Sequence, residues 1–447
     1  MGILPSPRLL YAALLLLATT GCASRIAIAT PDDVVRRTGV PARPANAEGT
    51  VLPPNVNISD GLTQDEAVAI ALWNNPDFQV QLTNLGFARA DLVDAGLLQN
   101  PVLSLLFPLG PKQLEWTLRW PIELLWQRPR RVAAASLAAQ SIASGLEQDG
   151  LTLVSDVKLA YTEYALAQDR IALTERALTE LNAVAALMDS RFQAGDISQL
   201  EARIAAIDAA RAGQDVARAR LDAALRANEL RARLGLALET TETPLVLAVT
   251  TLSTCAITPT LFDEALAARP DVRAAELAIE AAGARLGWER SRVLAITAVL
   301  DANGKGTEGF EMGPGIDVGL PIFNRNQGGT ARAQAELQRA SGLYLAARQR
   351  VATEVRAAVA QYQQAVVAAA EWRKTVLEPL EEQVQVADRA FNEGEVAYLF
   401  VIEMNRRLTD ARVRTREAEA DIARALARLE RAVGRRCSTE GERTGGF

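Results

Sequence analysis

Residues 313–333 read GPGIDVGLPIFNRNQGGTARA, and their pattern decides the fold. Ile316, Val318, Leu320 and Ile322 fall on one side of an alternating run, with Asp317 and Gly319 on the other. A period of two is the signature of a strand with one apolar face. Pro321, which has no N–H to donate, ends the ladder. Asn324 then offers a helix cap, and from Ala331 an Ala-rich run takes up helical spacing. The same event is written earlier in the chain. In QLEWTLRWP, Gln113–Pro121, Leu114, Trp116, Leu118 and Trp120 oppose Glu115, Thr117 and Arg119. A second Pro-bounded switch there again leads into an Ala-rich helix.

Working outward, the two switches sit in the same surroundings. Thr63 and Glu66 form a capping box for a helix interrupted at Pro76, which resumes from Asp77 to about Leu98. Strands over residues 101–107 and 113–121 follow, joined by a PLGP turn. Then comes a long helix that Gly150 dents without ending, carrying a heptad seam through Val154, Val157, Tyr161, Tyr164, Ile171 and Leu178 to Phe192. If Arg131–Arg191 is one helix, its rod is roughly 90 Å long at about 1.5 Å per residue. Gly195 breaks it in FQAGDISQLE, a return helix reaches about Leu234, and residues 238–260 form a Thr-rich linker. The second half repeats the plan. A short helix spans Leu261–Ala268, Pro270-Asp271 matches Pro76-Asp77, and helix continues to about Arg292. Strands over 293–303 and 314–323 flank the loop GKGTEGFEMGP, and a long helix kinked at Pro379 reaches Phe391. Gly394 in FNEGEVAYLF is the counterpart of Gly195, and the last helix ends near Val433. Helix, hairpin, long helix, turn and helix therefore occur twice, over 62–257 and 258–435, before a polar tail at 436–447.

Apolar residues make up 49% of the 447 but aromatics only 5%, which suits long helices packed closely side by side. A net charge of −6 gives no electrostatic footprint for nucleic acid. Histidine is absent, which removes the commonest general base and transition-metal ligand. There is no Gly-x-Ser-x-Gly elbow and no cysteine or carboxylate spacing suited to a metal, so an exported hydrolase finds no support. No enzyme activity, cofactor or metal site is expected.

Residues 1–21 have the form of a signal peptide, with Arg8 before the apolar run Leu9–Ala18, which is too short to span a bilayer. Thr19, Thr20 and Gly21 before Cys22 resemble a bacterial lipoprotein signal, apart from Thr19 where leucine is usual. Cys22 is then either a lipid anchor bearing palmitate or an incidental residue of a plain secretory peptide. Residues 22–61, rich in Pro, Thr, Val and Asn, read as an extended tether. Cys255 in the linker and Cys437 after the last helix either pair in a disulfide or remain two thiols.

Four strands cannot close a barrel of useful width, and open edges in hydrocarbon leave backbone groups unsatisfied at several kcal/mol each. Strands of about ten residues with tryptophan near their ends suit a bilayer crossing. Three chains giving four strands each would close a twelve-stranded barrel with polar residues facing a lumen. The alternative is an antiparallel sheet packed on its own helices.

LTQDEAVAIALWNNPD, LPIFNRNQGGTARAQAEL, the paired FxxG turns and the duplication together resemble the outer-membrane efflux protein family over Leu62–Val433. These TolC-like outer-membrane factors include lipoprotein members. The resemblance implies a mainly α chain with a small β part and a two-fold repeat. Three chains would form a twelve-stranded barrel in the outer membrane, continuous with a periplasmic helical tunnel. The duct would be passive, with a periplasmic adaptor and an inner-membrane pump of the resistance-nodulation-division type as partners. It implies that the turns at Gly195-Asp196 and Gly394-Glu395 dock the adaptor at the tunnel tip. Some members carry acidic residues six and nine positions after the second turn glycine; here these are Phe400 and Glu403. A ring of Glu403 would favour cations, a ring of Phe400 would be an apolar constriction, and otherwise Glu403 is a solvated helix-face charge. Pro121 and Pro321 would mark the level where barrel becomes tunnel, near the inner rim of the outer membrane. The competing function is a lipid-anchored coiled-coil scaffold of the cell envelope, in which the strands have no role.

Overall fold

The computed structural model describes residues 30–37, 51–54, 56, 60–107, 114–237, 245–248, 255–304, 310–393 and 395–437. The expectations for the signal peptide, Cys22, the PLGP turn and Gly394 lie outside these residues. The helices are α1 (Pro31–Arg37), α2 (Gln64–Asn74), α3 (Pro76–Leu82), α4 (Asn84–Gly96), α5 (Leu124–Ala194), α6 (Gln199–Leu234), α7 (Leu261–Ala268), α8 (Pro270–Ser291), α9 (Gln327–Trp372), α10 (Glu378–Asn392) and α11 (Tyr398–Val433). The strands are β1 (Val102–Leu106), β2 (Glu115–Pro121), β3 (Ala295–Gly304) and β4 (Phe310–Gly319). The described residues divide into two compact units, one formed by residues within 82–146 and 271–347, the other by residues within 32–81, 147–270 and 348–437.

The first unit holds one antiparallel sheet in the order β1-β2-β3-β4. Trp116 sits opposite Ala302, Leu118 opposite Leu300 and Trp120 opposite Ala298. Ala298 in turn faces Ile316, and Ile296 faces Val318. Residues directly opposite one another share a face, so the apolar positions of the strands line up in one layer. The polar layer is formed by Thr117 opposite Asp301 and Thr297 opposite Asp317. The last strand departs from expectation. It spans Phe310–Gly319 rather than 314–323, leaving Leu320 and Ile322 outside the ladder. Gly319 pairs with Ala295, the first residue of β3, so beyond it the alternation continues without a partner strand. For the same reason β3 is Ala295–Gly304 rather than 293–303, and part of the expected GKGTEGFEMGP loop is strand. The first hairpin shortens likewise, to Val102–Leu106 and Glu115–Pro121.

The switch into α9 uses a different device from the cap expected at Asn324. Asn324 Oδ1 accepts the Asn326 N–H at 2.9 Å, and Asn326 takes a left-handed φ of 55°. Asn326 Nδ2 then donates to the buried Glu289 carboxylate at 2.7 Å, and α9 begins at Gln327. A Cβ on Gly329 would lie 2.7 Å from the Glu289 Oε2, so the second glycine of NQGG leaves room for that carboxylate.

The second unit packs parts of α5 and α9 with α2, α6, α7, α10 and α11. The seam expected on α5 is buried in its first part, at Val154, Val157, Tyr161 and Tyr164, whereas Ile171, Leu178 and Phe192 further along it are only half-buried. Tyr161 and Tyr164 hydroxyls donate to the Leu62 and Leu245 carbonyls at 2.9 and 2.8 Å. α11 is tied to α5 by ion pairs: Lys158 with Glu430 at 2.5 Å, Glu163 with Arg424 at 2.6 Å, and Arg170 with Glu417. The Thr63–Glu66 capping box forms as expected.

Three expectations are corrected. The helix expected from Asp77 to about Leu98 breaks at Thr83 into α3 and α4. The helix is not simply kinked at Pro379: it continues through a π-helical turn at Arg373–Leu377, whose wider winding just before the proline accommodates its missing N–H. The tether is not wholly extended: Pro31 opens the seven-residue α1, Asp32 and Asp33 lie in its first turn, and Val34 and Val35 are buried.

Candidate channel and docking site

Two helical turns of the second unit are built alike. At the end of α5, Gly195 takes φ 83°, its N–H donates to Phe192 O at 3.0 Å, and the Asp196 N–H donates to Arg191 O at 2.9 Å. This is a Schellman motif, which satisfies the last carbonyls of a helix and needs a left-handed residue. After α10 the Glu395 N–H donates to Ala390 O at 2.8 Å, the same five-residue span in the aligned sequence FNEGE. The guanidinium of Arg191 lies over the Phe391 ring at 5.9 Å, so the two turns meet. Asp196 and Glu395 are both exposed.

Ser198 restarts the chain as the cap of α6. Its Oγ accepts the Glu201 N–H at 3.3 Å, and Glu201 Oε2 accepts the Ser198 N–H at 2.8 Å. The Ser198 backbone amide, and then its hydroxyl, hold the Glu201 carboxyl below its ordinary range. Leu200, Ile204 and Ile207 form an exposed apolar face on the first turns of α6.

Phe400 stands 51% exposed on the first turn of α11. Glu403 Oε1 accepts from Arg407 Nε at 2.8 Å, one helical turn on. Within one chain Glu403 is therefore a solvent-exposed helix-face charge paired with Arg407.

On the sheet, Thr117 Oγ1 donates to Asp301 Oδ1 at 2.7 Å, Asn303 Nδ2 donates to Asp301 Oδ2 at 3.1 Å, and Arg119 lies 3.8 Å from Asp317. Pro121 is the last residue of β2, paired with Thr297, whereas Pro321 lies two residues beyond β4. Cys255 and Cys437 are joined by a disulfide. The Cys255 N–H donates to the Tyr362 hydroxyl at 3.0 Å and the Cys437 N–H to Glu430 Oε1 at 3.0 Å.

Two residues that fix the second unit escaped the sequence reading. Asn75 Nδ2 donates to Arg233 O at 3.0 Å, at the end of α6. Arg269, only 3% exposed, donates to Arg431 O and Ala432 O at 3.2 and 3.3 Å, near the end of α11, and pairs with Glu354 at 2.9 Å. Each precedes a Pro-Asp pair, which was the available signal. Each also feeds a helix C-terminus, where orphan carbonyls and the dipole favour a donor. Among the described residues no cluster of three or more His, Cys, Asp or Glu is arranged to hold a metal.

The family model for outer membrane efflux proteins matches residues 68–236 and again 261–435. The chain belongs to that family. This efflux protein is 26% identical over 384 residues to the cobalt-zinc-cadmium resistance protein CzcC of Cupriavidus metallidurans, covering 84% of this chain and 90% of that protein. Its fold is similar to that of CusC, with a TM-score of 0.71, 20% identity, and coverage of 88% of this chain and 98% of the other. The outer-membrane channel OprN is similar at a TM-score of 0.68 and 19% identity, over 83% of this chain and 89% of the other. The efflux protein is thus an outer-membrane efflux channel of a tripartite system, mainly helical with a small antiparallel sheet. Members of the family are channel proteins and not enzymes, and membership implies a trimer, an adaptor and an inner-membrane pump as partners.

Proposed function

We propose that three copies of the efflux protein close a twelve-stranded barrel whose wall continues into a helical tunnel. One observation carries the reading: the sheet has an aligned apolar layer, an aligned polar layer and two open edges, at β1 and β4. Such a sheet is satisfied in hydrocarbon only when its edges are closed. The ten residues of β3 and β4 span about 25 Å at the usual rise and tilt, the height of an outer-membrane apolar band. The exposed Leu221 and Leu225 of α6 extend the need for a neighbour to the helices.

The duplicated turn chemistry and the paired Asn75 and Arg269 devices support a two-fold repeat over 62–257 and 258–435, with a signal peptide at 1–21, a tether at 22–61 and a tail at 436–447. Cys22 would carry the lipid anchor. The turns at Gly195-Asp196 and Gly394-Glu395, with their adjoining apolar face, receive the adaptor. The pump is of the resistance-nodulation-division type. Pro121 and Pro321 flank the transition from barrel to tunnel, and Phe400 and Glu403 line the tip. The likeness to CzcC supports divalent transition-metal ions as cargo, moving without a dedicated binding site. The polar sheet layer, with Glu115, Asp301 and Asp317 against Arg119, suits cations in transit.

Reconstitution of the folded full chain into planar bilayers tests this reading. Stable conductance with cation preference is expected, and Glu403→Gln should reduce that preference if the residue rings the opening. Absence of conductance from folded protein would refute the channel. Identical single-channel records for wild type and Glu403→Gln would remove the gate role.

A further inference from the structure

The four junctions between sheet and helices in the first unit share a composition that the channel function does not require. They run over residues 94–101, 121–131, 289–294 and 320–330. Apolar side chains stand exposed at each: Leu97 and Leu98, Leu125 and Trp126, Leu294, and Ile322 with Phe323, the last 90% exposed. Side chains this apolar are not left in water without reason when they recur at one level of a structure.

Arginines are interleaved with them. The same segments hold six arginines, at 128, 130, 131, 290, 292 and 325, against three carboxylates, at 94, 123 and 289. Six less three leaves a surplus of +3, in a chain whose net charge is −6. Two of the carboxylates are already engaged. Glu123 Oε2 accepts the Ile296 N–H at 3.2 Å, and the buried Glu289 is held by Asn326 and Arg292. Arg128 and Arg131 use part of their donor sets on the last carbonyls of α4. Arg130 and Arg290 are exposed and form no ion pair among the described residues. Arg325, also exposed, donates its Nε to Pro321 O at 3.2 Å and forms no ion pair among the described residues.

Exposed apolar and aromatic groups mixed with unspent cations are the chemistry of a membrane interface. The apolar parts enter the acyl boundary while the cations reach lipid phosphates. The position agrees, because each junction adjoins the end of a strand whose apolar layer is the proposed lipid face. The helices beyond lead into the periplasm, so the leaflet at this level is the periplasmic one. We infer that the four junctions form a basic, apolar belt that docks the anionic headgroups of phospholipids in the periplasmic leaflet. The belt rests on the membrane-barrel reading, and three copies would triple its charge. Three unspent arginines per chain near an anionic leaflet are enough to favour an anionic over a zwitterionic headgroup by about tenfold or more.

The test uses the full-length protein in detergent, titrated with phosphatidylglycerol or with phosphatidylcholine, and counts retained lipids by native mass spectrometry. Wild type should retain phosphatidylglycerol at least tenfold more strongly than phosphatidylcholine. The triple variant Arg130→Gln, Arg290→Gln, Arg325→Gln should lose most of that preference, and the corresponding triple lysine variant should keep it. Equal retention of both lipids by wild type, or an unchanged preference in the glutamine variant, would overturn the inference. So would loss of preference in the lysine variant, because charge would then not be the cause. Bilayer conductance of the same preparations separates the two readings: lost conductance with intact lipid preference counts against the channel, and the reverse against the belt.

Discussion

Gly195, Gly235 and Gly434 all sit at the C-terminal ends of helices with left-handed φ, of 83°, 77° and 79°, yet their surroundings differ. A Cβ on Gly195 would meet nothing within 4 Å, whereas on Gly434 it would lie 3.4 Å from Arg269 Cα. On Gly235 it would lie 2.1 Å from the Asn74 carbonyl oxygen and 2.5 Å from the carbonyl carbon, both backbone atoms. The backbone penalty for alanine in the left-handed region is about 1–2 kcal/mol, partly offset because alanine restricts the unfolded chain by about 0.4–1 kcal/mol. Gly195→Ala should therefore destabilise by about 1 kcal/mol, and Gly434→Ala by about the same or slightly more. Gly235→Ala must also move α6 away from the end of α2, which adds about 1–3 kcal/mol for overpacking. It would also stretch the Asn75–Arg233 hydrogen bond, worth about 1 kcal/mol. A total of about 3–5 kcal/mol follows for that site. Thermal unfolding of the three variants in one detergent, followed by circular dichroism, should rank them 195, 434, 235 in increasing loss of apparent Tm. Equal shifts at 195 and 235 would refute the claim that the close approach, rather than backbone handedness, dominates.

Arg269→Met removes a buried cation that serves Glu354 and two carbonyls near the end of α11. A loss of about 2–4 kcal/mol is expected, and adding Glu354→Gln should cost little more, because the partner would already be unpaired; strictly additive Tm losses would exclude the coupling. The depressed Glu201 carboxyl gives a pH test at the start of α6. A folded value below the unfolded one means that its stabilisation is present at neutral pH and is lost as pH falls through the folded value. Hydrogen-exchange protection of the amides at 198–202, corrected for intrinsic rates, should fall across that acid range in wild type and change less in Glu201→Gln.

The sequence was most informative where local chemistry alone decides conformation. The Thr63 capping box, the turn at Gly195 and the alternation of β2 and β3 needed only neighbouring residues, and each is present as read. It was least informative where a distant partner decides. Leu320 and Ile322 continue a strand pattern perfectly well, but β3 begins at Ala295 and nothing lies opposite them. Asn324 is as good a cap in sequence as Asn326, until the buried carboxylate of Glu289 selects the second. The seven-residue α1 is too short to show a period. FQAGD and FNEGE were legible as equivalent turns, whereas the Glu403–Arg407 pair that tempers the candidate gate required the two side chains to be seen together.

The Cys255–Cys437 bond has a consequence for how damage to the chain would be detected. It makes the segment between the two cysteines, 182 positions long, a closed covalent ring with α7 to α11 inside it. A protease that cuts one bond anywhere in that ring releases no fragment, and the nicked chain migrates as one molecule until it is reduced. A cut in α5 or α6 separates two pieces at once. Paired reducing and non-reducing gels after limited proteolysis would therefore reveal which half of the chain was opened, before any fragment is sequenced.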